Sequence, residues 1–403
     1  MRAMKIIIRL SPFDMKNTQI DKEGLIFMRI CMLVTSNVIK DPRVQREAKL
    51  AHDNGFEVFV LGRRDRKFNQ NLLEQLPYKV ILADVNRNDN DNVIKRIFER
   101  LSIGFSFVAK CIKLRPDIIH ANDFDTLPFA FIASLFTCSK IVYDSHEIYT
   151  ENCGLAKRKL LKKIIKLFEK FLIKKSHMVV SVSNAAAKKL SEMYGIEEPL
   201  VVTNCSYSAQ IKQPVIKNNK FEVLYHGIFG EGRGYEEFVE SAEYLPDDIS
   251  LVVRGYGPIE QKLHAIAENE KIRDKVIFAK PVEINELIKC AAKSHVGVVL
   301  TKPVSINFEY TVSNKLFEYI QAGIPLILSG VKEHRYLVEK YGIGIIIDKV
   351  EPKCIAEAIM KLYNDPMLYE KLRNNVLNAA KIFKWETEGM KLIKVYNRLL
   401  HAG

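Results

Sequence analysis

The chain has 403 residues, 48% of them hydrophobic, and 61 Lys and Arg against 48 Asp and Glu leave a net charge of +13. That length exceeds what one hydrophobic core usually serves, and that apolar content excludes a disordered chain. The seven cysteines (Cys31, Cys111, Cys138, Cys153, Cys205, Cys290, Cys354) are scattered and form no C-x-x-C pair. This favours reduced thiols and argues against a zinc site, and no apolar run approaches the roughly 18 residues of a membrane span.

Residues 1–27 hold one short apolar piece, Ile6-Ile7-Ile8, and then polar sequence. They show no signal-peptide apolar core or cleavage site, so the expectation is a cytoplasmic protein with an N-terminal extension of unknown role. A fresh start at Met28 opens an apolar strand. From there β-branched apolar runs near 29–34, 58–61, 79–84, 118–121, 140–144, 178–183 and 200–204 alternate with helical patterns, such as 42–54 ending at Gly55. Buried apolar strands alternating with helices predict a parallel, doubly wound α/β sheet. Residues 205–220 are polar and patternless and read as a linker. The alternation then restarts at 222–226, 250–253, 276–279, 296–301, 325–328 and 344–348, and a long amphipathic helix closes the chain from about Trp385 to Leu400. The expected division is 28–208, 209–384 and 385–403, after the 1–27 extension. Two such halves place ligands at the carboxyl ends of their strands.

Candidate site residues fall at those strand ends. After the first strand, the loop 36–41 runs into PRVQRE at 42–47. Asp41 and Arg43 are candidates for contacting a ligand there, and helix capping by Asp41 before Pro42 is an equal explanation. Residues 117–123 (DIIHAND) and 142–147 (VYDSHE) place His120, Asp123, His146 and Glu147 at the ends of two buried strands. Such groups orient or deprotonate a hydroxyl near neutral pH, or they cap strand ends for structural reasons.

Residues 157–175 (KRKLLKKIIKLFEKFLIKK) carry nine cations and one acid, Glu169. Leu160, Leu161, Ile164, Ile165, Phe168, Phe171 and Leu172 recur at helical spacing, and Lys159, Lys162, Lys163, Lys166 and Lys170 fill the other face. A basic amphipathic helix of this kind lies on anionic membrane surfaces, or it packs its apolar face on its own domain behind a solvated basic face. Both hold together if the leucines pack inward while the lysines meet headgroups. Lys95, Arg96, Arg100, Lys110, Lys113 and Arg115 add a second basic stretch.

The second half opens with a strand running into Gly227, and the run 223–234 reads VLYHGIFGEGRG. Glycines after a strand let backbone N–H groups approach a phosphate, and Arg233 adds a two-pronged cation; a flexible turn is the alternative. The glycine spacing does not fit G-x-G-x-x-G, so a dehydrogenase is not supported. Arg254-Gly255-Tyr256-Gly257-Pro258 forms a further turn after a strand.

The most informative stretch is 313–325, SNKLFEYIQAGIP, followed by the apolar Leu326-Ile327-Leu328. It reads as a loop, a short helix capped by Asn314, a stop at Gly323 and Pro325, and a buried strand. Lys315 then sits in the first turn, where the helix dipole and free N–H groups suit a phosphate, and Glu318 projects from the same face one turn on. A cation for phosphate and a carboxylate for a ribose diol outline a nucleoside-diphosphate site. An ordinary surface Lys–Glu pair is the alternative.

This stretch resembles the donor motif of the group 1 (family 4) retaining glycosyltransferases, which have the GT-B fold. In that family a Pro-Asn-Lys-hydrophobic-Phe-Glu-Tyr run binds the sugar nucleotide. Ser313 replaces the proline, and Tyr310 stands where many members have a first glutamate, with Glu309 one residue out of register. Gly227 and Arg233-Gly234 resemble the family's phosphate contacts, with Ile228 where an arginine often follows. The turn at Arg254 is similar to the family's Gly-x-Gly-Pro turn, and DIIHAND and VYDSHE resemble D-x-x-H-x-x-D and Y-D-x-H-E. The likeness runs from Met28 to about Trp385.

The resemblance implies two Rossmann-like domains with the final helix crossing back onto the first. It implies transfer, with retention, from a UDP- or GDP-sugar to a hydroxyl, by front-face substitution, with no cofactor and no obligate metal. Donor contacts would be Gly227, Arg233, Gly234, Arg254, Tyr310, Ser313, Asn314, Lys315 and Glu318. His120 and Asp123 would be catalytic, and Asp41, Arg43, His146 and Glu147 would lie on the acceptor side. The expected acceptor is lipid-linked or saccharide, in cell-envelope polysaccharide, lipopolysaccharide or glycolipid synthesis, at the inner face of an anionic membrane. A sugar-nucleotide epimerase of the same fold is the main rival. A nucleic-acid-binding protein is the second, although the sequence carries no RNA- or DNA-binding motif.

Overall fold

The computed structural model describes residues 28–38, 41–64, 71–83, 93–151, 158–208, 220–310 and 312–401. The extension 1–27, most of the linker, Lys157 and the Arg96 side chain lie outside the described residues. The described residues fall into two compact units, one drawn from within 28–121 and 128–141 and the other from within 122–127 and 142–401.

Every apolar run expected to be a strand contains one. The first sheet comprises β1 (Arg29–Leu33), β2 (Glu57–Arg63), β3 (Lys79–Ala83), β4 (Ile118–Asn122), β5 (Lys140–Ser145), β6 (Met178–Ser181) and β7 (Leu200–Val201), in the order β3-β2-β1-β4-β5-β6-β7. The second comprises β8 (Phe221–Ile228), β9 (Ile249–Tyr256), β10 (Val276–Ala279), β11 (Val296–Val299), β12 (Leu326–Ser329) and β13 (Gly344–Ile347), in the order β10-β9-β8-β11-β12-β13. Neighbouring strands run parallel, with registers such as Cys31 opposite Phe59 and His226 opposite Arg254. Central strands such as β11 (VGVV) and β12 (LILS) are buried along their whole length, so their sequences are almost wholly apolar rather than alternating; β4 (IIHAN) is equally buried but carries His120 and Asn122. The result is two Rossmann-like parallel sheets.

The helix Asn314–Ala322 is fixed by its apolar face. Leu316, Phe317, Tyr319 and Ile320 are fully buried in one cluster with Leu224, Val299, Leu326 and Leu328. Gly323 ends it in the left-handed conformation, φ 70°, as a glycine can without strain. Ser313, not Asn314, occupies the N-cap position, and Asn314 is the first helical residue, its Oδ1 accepting from Asn204 Nδ2 at 2.9 Å.

The last helix, Trp385–His401, lies against the short strand β7. Glu388 accepts from the Thr203 N–H at 3.0 Å, and Lys391 donates to the Val201 carbonyl at 3.2 Å. No helix among the described residues is long and apolar enough to cross a membrane.

Candidate active site

At the end of β8 the chain passes Tyr225, His226 and Gly227. Gly227 has φ +127°, and a Cβ there would come within 3.0 Å of Lys315 Cε. A glycine is what lets the lysine lie against this backbone. Lys315 is 9% exposed, with its Nζ 4.9 Å from the centre of the Tyr225 ring, 5.5 Å from that of Tyr235 and 3.5 Å from the Tyr235 hydroxyl. Burial lowers its pKa to about 7, with Arg233 pushing the same way and Glu318 opposing. A cation held in a dry aromatic cradle is one that a polyanion would recharge.

Arg233 stacks its guanidinium 4.7 Å from the Phe308 ring centre. Glu318 sets Oε2 at 2.7 Å from His226 Nε2. The segment thus brings Gly227, Arg233, Lys315 and Glu318 to one end of the second sheet, with Arg254 in register beside His226. Tyr310 is engaged elsewhere: its ring faces Lys189 at 5.4 Å and Lys332 at 5.2 Å, and its carbonyl accepts from Ser183 Oγ at 2.8 Å.

A second cluster gathers at the ends of β4 and β5. Asp123 is left-handed, φ 61°, an uncommon state for a residue with a side chain, and its N–H donates to the Asp144 carbonyl at 2.9 Å. His146 lies between two carboxylates, Nδ1 at 3.3 Å from Asp123 Oδ2 and Nε2 at 3.2 Å from Asp144 Oδ2. Its own N–H donates to Asp123 Oδ1 at 3.0 Å. Burial pulls the His146 pKa down, but Asp123 and Asp144 outweigh it and hold the imidazole well above its usual value. Glu147 accepts from Asn307 Nδ2 at 3.1 Å, and Asn307 Oδ1 accepts from the Ile148 N–H at 3.1 Å.

The acceptor-side candidates Asp41 and Arg43 and the catalytic candidate His120 meet groups of the protein itself. Asp41 caps the helix Pro42–Asp53 by accepting from the Val44 N–H at 3.2 Å, so the capping explanation holds. Arg43 is buried and meets Glu47 at 3.0 Å, and Glu47 lies 3.6 Å from His120. His120 is fully buried, so it presents no surface for substrate. The apolar strand that carries it draws it inside.

The helix Lys159–Ile173 does not pack its apolar face on its own domain, one of the two arrangements its sequence leaves open. Its apolar face is outward: Leu160 is 74% exposed, Leu167 62% and Ile164 56%. What it buries is Glu169, Leu172 and Ile173. Glu169 accepts from the Tyr194 hydroxyl at 2.6 Å and the Tyr143 hydroxyl at 2.9 Å, which anchors the helix by its acid. Lys162 is drawn to Glu151 at 2.6 Å and leaves the basic face. Lys159, Lys163, Lys166 and Lys170 remain as a row along one flank of the exposed apolar stripe.

Burial raises the Glu169 pKa to about 7 despite the two tyrosines. Between the ordinary carboxylate range and about 7 the folded state holds a proton that the unfolded state has lost. Stability from this group therefore falls as pH rises through that window. Glu169→Gln, which keeps an acceptor without the charge, is expected to be more stable than the natural chain at pH 8 by about 1–3 kcal/mol and nearly equal to it at pH 4.5. Thermal midpoints at both pH values measure this; an equal destabilisation at both would refute it.

Comparison with known proteins accords with this geometry. The profile described as "Glycosyl transferases group 1" matches residues 206–381, and that of "Glycosyltransferase Family 4" matches residues 43–207. The chain belongs to the group 1 glycosyltransferases. It is 19% identical to the chitobiosyldiphosphodolichol beta-mannosyltransferase of Candida albicans, over 90% of this chain and 86% of that one. Among solved structures it resembles sucrose-phosphate synthase from Thermosynechococcus elongatus, with TM-score 0.76, 16% identity, and 93% and 100% of the two chains covered. It also resembles the Anabaena protein HepE in complex with UDP-glucose, with TM-score 0.71, 16% identity, and 92% and 99% covered. These likenesses establish the GT-B fold. His226 is the functional candidate that the sequence reading passed over, since a histidine inside an apolar strand carries no signal of its own.

Proposed function

We propose that this glycosyltransferase moves a sugar from a UDP- or GDP-sugar to a hydroxyl acceptor with retention. The observation that carries the reading is Lys315, buried in the first turn of a helix beside Arg233 and Glu318. Lys315 and Arg233 neutralise the leaving diphosphate as charge develops on it. Glu318 accepts from the ribose diol. The front-face route asks for no covalent nucleophile, and Asp123, held by a charged His146, orients the acceptor hydroxyl. Because two protein cations serve the diphosphate, activity is expected to survive EDTA. In this reading residues 28–208 form the acceptor domain, 209–384 the donor domain and 385–403 the closing helix.

The acceptor is lipid-linked or saccharide, in envelope polysaccharide or glycolipid synthesis. Support comes from the outward apolar stripe of the helix Lys159–Ile173 and its flanking lysines, which suit an anionic bilayer. A thermal-shift screen over UDP-, GDP-, ADP- and CMP-sugars tests the donor, since a bound ligand raises the midpoint by mass action. No shift with any of them sinks the reading. Incubation with the donor alone separates the epimerase, which converts it, from the transferase, which hydrolyses it slowly.

Glu318→Gln is expected to weaken nucleotide affinity while leaving the ligand-free thermal midpoint almost unchanged, because the shape persists and only charge-assisted acceptance is lost. Normal nucleotide binding with early melting would instead make Glu318 a structural residue.

A further inference from the structure

His226 lies near the end of β8, 2% exposed, and is held at three points. Its backbone N–H donates to the Tyr319 hydroxyl at 3.0 Å, and its ring lies 4.6 Å from the Tyr319 ring, tilted by 33°. Its Nε2 is 2.7 Å from Glu318 Oε2. Two consecutive residues of the helix Asn314–Ala322 thus grip one histidine of the strand.

The proton positions follow from chemistry. An ionised carboxylate only accepts, so Nε2 carries the hydrogen. Nδ1 is buried with no hydrogen-bond partner among the described residues. The hydrogen shared between His226 and Glu318 is therefore the one on Nε2.

We infer that His226 is a positioning residue: it fixes one oxygen of Glu318 so that the carboxylate meets the ribose hydroxyls of the donor in a set orientation. This rests on the proposed ribose role of Glu318. Without His226 the carboxylate gains rotamer freedom that nucleotide binding must remove.

The test compares UDP with 2′,3′-dideoxy-UDP, using calorimetry on the full chain. The natural protein should prefer UDP. His226→Ala should weaken UDP binding by about tenfold, the scale of one charge-assisted hydrogen bond, and leave dideoxy-UDP binding unchanged. His226→Gln, whose amide N–H reaches the Nε2 position, should keep most of the preference. If His226→Ala does not fold, His226→Asn, whose amide is too short to reach, is read the same way. Equal weakening of both nucleotides, or an undiminished preference for UDP, overturns the positioning role alone. The comparison is run in parallel with GDP and 2′,3′-dideoxy-GDP, and a natural protein that binds the members of each pair equally, or binds none of the four, overturns the ribose assignment of Glu318 and this inference with it.

Discussion

Lys315→Ala and Arg233→Ala are each expected to lower kcat/KM by about tenfold to a thousandfold, of order 1.4–4 kcal/mol. The reason is where the charges sit. A surface lysine near a diphosphate is screened by water, but Lys315 is almost wholly enclosed by Tyr225, Tyr235 and the Gly227 backbone. In so dry a setting its charge acts at low effective dielectric. The same burial holds its pKa down at about 7, so a fraction of the free protein near neutrality carries an uncharged lysine. A diphosphate arriving beside it favours the charged form, so nucleotide binding should take up a proton.

Two measurements follow. Binding enthalpies in buffers of different ionisation enthalpy should reveal that uptake at pH 7–8, and Lys315→Ala should abolish it. Nucleotide affinity should fall as pH rises beyond about 7, because recharging Lys315 then opposes the bulk proton activity. Natural rates in a folded Lys315→Ala, Arg233→Ala double variant would remove both residues from the site.

The parts of the molecule that were legible in the sequence share a physical cause. Parallel strands buried on both faces are mostly apolar, so runs such as Leu326-Ile327-Leu328 announce themselves. The helix Asn314–Ala322 was legible because its Gly323 stop and its Lys315–Glu318 spacing are local, although its N-cap is Ser313 and not the Asn314 the sequence suggested. What escaped was set by distant partners. His226 meets Glu318 across 92 residues of chain, and neither residue alone signals the other. Asp41 and Arg43 looked available for substrate, yet one caps a helix and the other is buried against Glu47.

The basic helix shows the limit most clearly. An amphipathic pattern says that one face differs from the other, not which one meets the protein. The outcome turns on Glu169, its single acid. Tyr194 and Tyr143, 25 and 26 residues away, bond its carboxylate and rotate the leucines outward.

That orientation makes binding to an anionic membrane the other large expected effect. Leu160, Ile164, Leu167, Phe168 and Phe171 are exposed along one stripe, and Lys159, Lys163, Lys166 and Lys170 line its flank. Apolar side chains at headgroup depth with cations beside them is the arrangement of a helix lying in a bilayer interface. Each lysine contributes about 1 kcal/mol near an anionic surface. Converting all four to Gln should thus weaken binding to phosphatidylserine vesicles by about 4 kcal/mol, of order a thousandfold. Lys162→Gln should change little, since Lys162 is paired with Glu151. Co-sedimentation is the direct measurement. Salt should diminish the binding, because exposed charges are screened within about 8 Å at physiological ionic strength. Leu160, Ile164 and Leu167 changed together to Ser should remove the weak residual binding to neutral phosphatidylcholine that the lysine variant retains. Equal binding of the natural chain to neutral and anionic vesicles, or none at low salt, would eliminate the membrane role. The proposed donor site would be untouched in either case, since Lys315, Arg233 and Glu318 lie in the other half of the sequence.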